Sequence, residues 1–234
     1  VKIEIKGSII NSEDAWIYKY FGIDCASPKD VTEQLSKAKK NEEIEVEINS
    51  GGGDVFAGSE IYTTLKSYEG NVITKVVGLA ASAASVIAMA GDKVLISPTG
   101  QLMIHNASGM FGGDYREMDK GSEILKSVNA TIANAYEIKT SMEHEELLAL
   151  MDNETWLTPQ KALENKFVDE IMFTNGTKLV ASFNNGMLPQ EVISKMRNKL
   201  KNEEAEKVEN NKEIEKIKNE LDLEKAKLNL RRSL

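Results

Sequence analysis

The chain has 234 residues, 41% of them hydrophobic, enough for one substantial core and an appendage. Its formal net charge of −8 argues against nucleic acid as the main partner. The single cysteine, Cys25, excludes an internal disulfide framework, and no apolar run reaches the ~18–20 residues of a membrane span. The expectation is a soluble cytoplasmic protein without membrane contact.

In chain order, Val1-Lys-Ile-Glu-Ile-Lys6 alternates apolar and charged residues as a half-buried strand does. Asn11-Ser-Glu-Asp14 gives turn and helix-start signals, and a short surface helix is predicted to open near Pro28. Glu43 to Asn49 alternates again, with Ile44, Val46 and Ile48 on one face, and runs into Ser50-Gly-Gly-Gly53, which reads as a glycine turn. Asp54 is then an N-cap for a helix whose buried stripe is Ala57, Ile61 and Leu65. The β-branched run Val72–Val77 reads as a buried strand, Gly78-Leu-Ala-Ala81 as a small-residue turn, and about 83–90 as an alanine-rich helix. The unit strand, turn, helix therefore occurs twice, with its special turn at the strand's C-terminal end, where α/β folds place their ligand sites.

Two short strands follow, Val94–Ser97 and Gln101–His105, then an irregular glycine-rich stretch from Asn106 to Asp114. Met118, Leu125, Val128, Ile132 and Ala135 recur at helical spacing and predict a long helix from Tyr115 to about Met142. A second helix covers about 143–151, Thr158-Pro159 opens a third, and Phe167–Phe173 reads as a last strand. Residues 1–180 are thus one domain and 181–190 a linker. Residues 191–234 are a Lys- and Glu-rich tail with a weak seven-residue register, either a marginal coiled coil or a solvated helix.

Ser82 stands where a strand becomes a helix. There its hydroxyl is at a sharp corner, and the first helical N–H groups face any developing oxyanion. The plainer reading is a tight core helix in which Ser82 and Ser85 are merely small. A nucleophilic serine needs a base, and the chain holds two histidines. His144 lies in an acidic, exposed helix face, whereas His105 ends an apolar strand beside the glycine-rich loop. Asp152 and Glu154 lie before Trp156 and are candidates for orienting the imidazole. Gly51-Gly-Gly53 offers backbone N–H groups unobstructed by side chains. No Walker pattern and no metal-ligand spacing is present, so neither a metal nor an organic cofactor is expected.

Ile48-Asn-Ser-Gly-Gly-Gly-Asp-Val-Phe-Ala-Gly58, Gly78-Leu-Ala-Ala-Ser82, Met103-Ile-His105 and Trp156-Leu-Thr-Pro-Gln-Lys-Ala162 with Val168-Asp169 occur in an order that resembles the Clp protease proteolytic subunit, over roughly residues 40–173. The resemblance implies an α/β spiral of strand–strand–helix units shared with crotonases, a long handle helix, and assembly into homo-oligomeric rings. Carried over, it makes Ser82 the nucleophile, His105 the general base, and the N–H groups of Gly53 and Ala83 the oxyanion donors. The family's acid position falls on Glu154, with Asp152 in reserve. Substrate would pair as an added strand with Gly52 and the loop Asn106, Ala107, Ser108 and Gly109.

There are departures: Gly51 replaces the usual proline, and the axial segment that docks an unfolding ATPase has no clear counterpart in the sequence as it opens at Val1, so independence of an ATPase is expected. The opening strand and Asp54–Gly58 look like the phage branch, whose members mature capsids. That implies scaffold or capsid proteins, and the chain's own tail, as polypeptide substrates in a host cytoplasm or procapsid. The alternatives are a bacterial ATP-dependent Clp subunit, a crotonase-class acyl-CoA enzyme, and a non-catalytic capsid assembly or scaffold protein.

Overall fold

In the computed structural model, residues 1–174 are described. The predicted linker and charged tail lie outside the described residues. The element order is β1 (Lys2–Ile9), α1 (Ala15–Tyr20), β2 (Cys25–Ala26), α2 (Pro28–Leu35), β3 (Ile44–Gly53), α3 (Val55–Lys66), β4 (Val72–Ala81) and α4 (Ala83–Ala88). It continues with β5 (Lys93–Ile96), β6 (Gln101–Ile104), α5 (Tyr115–Thr140), α6 (His144–Asp152), β7 (Thr155–Leu157), α7 (Pro159–Glu164) and β8 (Glu170–Ile171).

One sheet runs β2-β1-β3-β4-β5-β8, with β6 pairing both β4 and β7. Its pairs are parallel except β6 with β7. A mainly parallel sheet needs helical crossovers, and here β1, β3 and the first half of β4 alternate, burying one face beneath the helices. Ile3, Ile5, Ile44, Val46, Ile48, Val72, Val76 and Val94 are accordingly buried in one core with Ile61 and Leu65 of α3 and all of α4. This mixed α/β architecture agrees with the fold that the resemblance implies.

Three features depart from the sequence reading, each for a local reason. Gly51–Gly53 and Gly78–Ala81 are not turns but the ends of β3 and β4. Small residues give no alternation to read, yet their backbones stay in the ladder through register shifts after Ile48 and Lys6. The last strand shrinks to Glu170–Ile171, because the N–H groups of both Phe167 and Val168 donate to the Ala162 carbonyl and close α7. Finally, β2, β7 and α1 are too short for periodicity to mark, although Asn11–Asp14 does introduce α1 through an Asn11–Asp14 hydrogen bond.

Candidate active site

Strand register assembles the site. Ser50 pairs with Ala80 across β3 and β4, so Gly52 comes to lie beside Ser82, two residues further along each strand. Ala81 pairs with Met103 across β4 and β6, and the Ser82 N–H donates to the Met103 carbonyl at 3.0 Å. His105, two residues beyond Met103, then reaches the serine: its Nε2 lies 2.8 Å from Ser82 Oγ. With the ring proton assigned to Nδ1, the hydroxyl donates to Nε2 and the imidazole is set to accept its proton.

Ser82 has φ 55° and ψ −128°, a left-handed backbone that a serine adopts at a cost of about 1–3 kcal/mol. This corner is what turns the side chain out of the β4 ladder before α4 begins. Gly52 makes room for it: at φ +93°, a Cβ there would lie 2.6 Å from Ser82 Cβ and 2.7 Å from the Ala81 carbonyl oxygen. Gly53, at φ +151°, would place a Cβ 2.0 Å from the Ile9 carbonyl oxygen. That same Ile9 oxygen accepts from the Asp54 N–H at 2.8 Å, which fixes the direction of the Gly53 peptide. Ala83 is the first residue of α4, where a helix leaves its N–H without an intrahelical acceptor.

A cavity of about 350 Å³ opens onto this pair. Gly53, Ser82, Ala83, His105, Ala107, Ser108 and Gly109 form one side, and Phe56, Ile124, Leu125, Val128 and Ile132 form an apolar wall. The sequence reading missed Phe56 and Ile124 as wall residues. The signal available for α5 was the spacing of Leu125, Val128 and Ile132, which marks an apolar face without saying what it faces. Gly52 is not on the cavity wall, and its N–H donates to Ser50 Oγ at 3.1 Å. The Ala107 N–H is likewise taken, by Asn129 Oδ1 of α5 at 2.8 Å.

Neither candidate acid accepts a hydrogen bond from His105 among the described residues. Ile104 pairs antiparallel with Thr155 as the last pair of the β6–β7 ladder, and His105 and Glu154 are the residues just beyond it on the two strands. The Glu154 carboxylate accepts instead from Trp156 Nε1 at 3.1 Å, and its φ of 43° turns it out of the ladder. Asp152 accepts from Asn106 Nδ2 at 2.7 Å, which ties the end of α6 to the loop after the histidine. That bond fixes the amide so that Asn106 Oδ1 is buried, without a hydrogen-bond partner among the described residues.

Outside the site, His144 Nδ1 lies 2.8 Å from Glu137 Oε2, a contact between helices α6 and α5 rather than a free surface histidine. Cys25 is half-buried, and burial pushes its thiol up, away from the reactive thiolate. Among the described residues, no group of three or more His, Cys, Asp or Glu side chains has the arrangement of a metal site. None of their helices is long and apolar enough to cross a membrane.

A hydroxyl held on a strained corner against an imidazole, beside glycine backbone and an apolar cavity, defines the class as an α/β serine hydrolase. The family profile described as Clp protease matches residues 9–175. Over 141 residues the chain is 33% identical to the ATP-dependent Clp protease proteolytic subunit of Deinococcus radiodurans, covering 59% of this chain and 69% of that one. It is 31% identical over 145 residues to the protein of the same name from Streptococcus pneumoniae strain Hungary19A-6, covering 60% and 74% respectively. It is also 29% identical over 139 residues to proteolytic subunit 2 of Tropheryma whipplei, covering 58% and 77%. The chain belongs to the Clp protease family and is a serine-type endopeptidase.

Proposed function

We propose that this chain hydrolyses peptide bonds through an acyl-enzyme formed on Ser82, a reading carried by the 2.8 Å contact between its Oγ and His105 Nε2. Ser82 Oγ attacks the scissile carbonyl carbon while His105 Nε2 takes its proton. The N–H groups of Gly53 and Ala83 receive the negative charge on the carbonyl oxygen. The C–N bond then breaks as His105 returns the proton to the leaving amine. A water, deprotonated by the same imidazole, releases the acyl group and restores the serine.

Glu154 is the proposed acid. It adjoins the last β6–β7 pair, as His105 does on the other strand, and its bond to the Trp156 indole is solvent-exposed, so exchanging it for His105 Nδ1–H costs little. Asp152 then acts through Asn106, holding the loop that follows the base. Substrate backbone lies along Asn106–Gly109 as an added strand, and the wall of Phe56, Ile124 and Val128 receives an apolar side chain next to the cleaved bond.

For the biological setting we propose a capsid maturation protease that works without an ATPase and assembles as a homo-oligomeric ring. The support is the likeness of the opening strand and of Asp54–Gly58 to the phage branch. The second reading, a proteolytic subunit fed by an ATPase, is favoured by the names that the bacterial relatives carry.

The test is intact-mass spectrometry after a fluorophosphonate probe. One adduct is expected on the wild type and none on Ser82→Ala or His105→Ala. No adduct on folded, assembled wild type defeats the proposal. Cleavage of scaffold protein without nucleotide supports the phage setting, and co-purification of an unfolding ATPase supports the cellular one.

A further inference from the structure

Two buried hydroxyls have no part in the proposed chemistry, Ser85 of α4 and Tyr136 of α5. Ser85 is fully buried and Tyr136 is 1% exposed. Ser85 Oγ lies 2.6 Å from the Ser82 carbonyl oxygen and 2.7 Å from the Tyr136 hydroxyl. The protons can be counted. A carbonyl oxygen only accepts, so the one proton of Ser85 is directed at Ser82. Ser85 then has none left for Tyr136, and Tyr136 must donate to Ser85. The reverse order would press two lone pairs together at 2.6 Å and leave the tyrosine proton without an acceptor among the described residues. Burial pushes the phenol well above its ordinary value, so it keeps the proton that this chain requires.

The chain Tyr136 O–H, Ser85 O–H, Ser82 C=O ends on the residue with the strained backbone. A hydroxyl that is itself hydrogen-bonded is a stronger donor, so Tyr136 reinforces the hold on the Ser82 carbonyl. The backbone N–H groups of Ser85 and Val86 also donate to this oxygen, at 2.9 and 3.4 Å. For stability alone a Phe–Ala pair would serve as well, since replacing both partners of a buried hydrogen bond with apolar groups is close to neutral. What a Phe–Ala pair lacks is the donor aimed at Ser82.

We infer that Tyr136 and Ser85 are positioning residues. They clamp the Ser82 peptide in the geometry that presents Oγ to His105, and so make the seating of α5 a condition of catalysis. The inference rests on Ser82 being the nucleophile.

The experiment compares Tyr136→Phe and the double variant Tyr136→Phe/Ser85→Ala with wild type, in peptide turnover, fluorophosphonate labelling rate and thermal melting. The expected result for both variants is a loss of about tenfold or more in kcat and in labelling rate with KM close to wild type, because a small misplacement of the reacting atom lowers rate rather than binding, and for the double variant a melting midpoint close to wild type as well. Wild-type rates in a folded double variant overturn the inference. So does a loss seen only together with a lowered midpoint and a raised KM, which is what a merely structural pair produces. If the double variant does not fold, Tyr136→Phe decides alone, because it keeps ring and volume and removes only the donor. A wild type that the probe does not label at Ser82 fails the parent proposal instead, which separates the two failures.

Discussion

At the scale of single residues the site makes sharp demands. Ser82→Ala is expected to abolish peptidase activity and leave the melting midpoint within a few degrees of wild type, since the alanine loses only a hydroxyl; peptide turnover surviving in that variant would sink the nucleophile assignment. Glu154→Gln is expected to lower kcat by about a hundredfold or more and Asp152→Asn by about tenfold, the larger loss belonging to the group that stabilises the imidazolium. The reverse ranking, read from initial rates, would transfer the acid role to Asp152. Ser82 and His105 could be singled out in sequence because each stands at the end of an apolar strand, and strand ends are visible in a pattern. The acid could not be fixed that way. Asp152 and Glu154 are two residues apart in sequence, and only the fold separates them, Asp152 ending α6 against Asn106 and Glu154 lying beside the start of β7. The partnership of Ser85 with Tyr136 was equally hidden, since 51 residues separate them and neither breaks the apolar rhythm of its helix.

At the scale of elements, the ends of β3 and β4 matter more than their middles. Gly52→Ala is expected to remove activity and to lower the midpoint, because the added methyl has no space against Ser82 Cβ and the backbone there is left-handed. Restored activity in a Gly52→Ala protein of wild-type stability would show that the corner is looser than its geometry. Alternation made Ile44, Val46 and Ile48 legible as a buried strand, but the same strand continues through three glycines that carry no pattern at all, so the sheet is longer than the sequence suggests.

Helix α2 offers a test of a different kind. Ser27 and Asp30 form a capping box, and Lys19 reaches Asp30 as well. Burial alone would raise the Asp30 carboxyl, but the hydrogen bonds from Lys19 and Ser27 outweigh it and hold the group below its ordinary value. A carboxyl whose folded pKa is the lower one contributes fully above the unfolded value of about 3.9 and loses that contribution as pH falls through the folded value. Asp30→Asn should therefore lower the midpoint at pH 7, through the weakened bonds from Lys19 and Ser27 and not through the Ser27 N-cap itself, and the gap to wild type should close in strong acid. A gap that is constant across pH would mean that the charge contributes nothing.

At the scale of the whole molecule, the described surface carries two sets of large apolar side chains, Trp16, Tyr20, Phe21 and Ile23 around α1, and Tyr115, Met118, Ile124 and Ile138 along α5. Exposure of that extent is unusual for a monomer and common at subunit contacts. Light scattering at micromolar concentration is expected to give a mass several times that of one chain, and a monomer would count against the ring. The apolar wall beside Ser82 predicts that peptides with leucine or methionine before the cleaved bond turn over at least about tenfold faster than those with aspartate, measured as kcat/KM. Equal rates would mean that the cavity does not read the side chain.

The contact between Gly52 and Ser82 also has a pharmacological consequence. On the sheet side the nucleophile is walled in by the Gly52 backbone and the Ala81 carbonyl, with no room for even one methyl group. A covalent inhibitor attached to Ser82 must therefore project its bulk toward the start of α3 and toward α5, where Phe56, Ile124 and Val128 line the cavity. Selectivity would have to be built against those three side chains, because behind Ser82 there is only close-packed backbone.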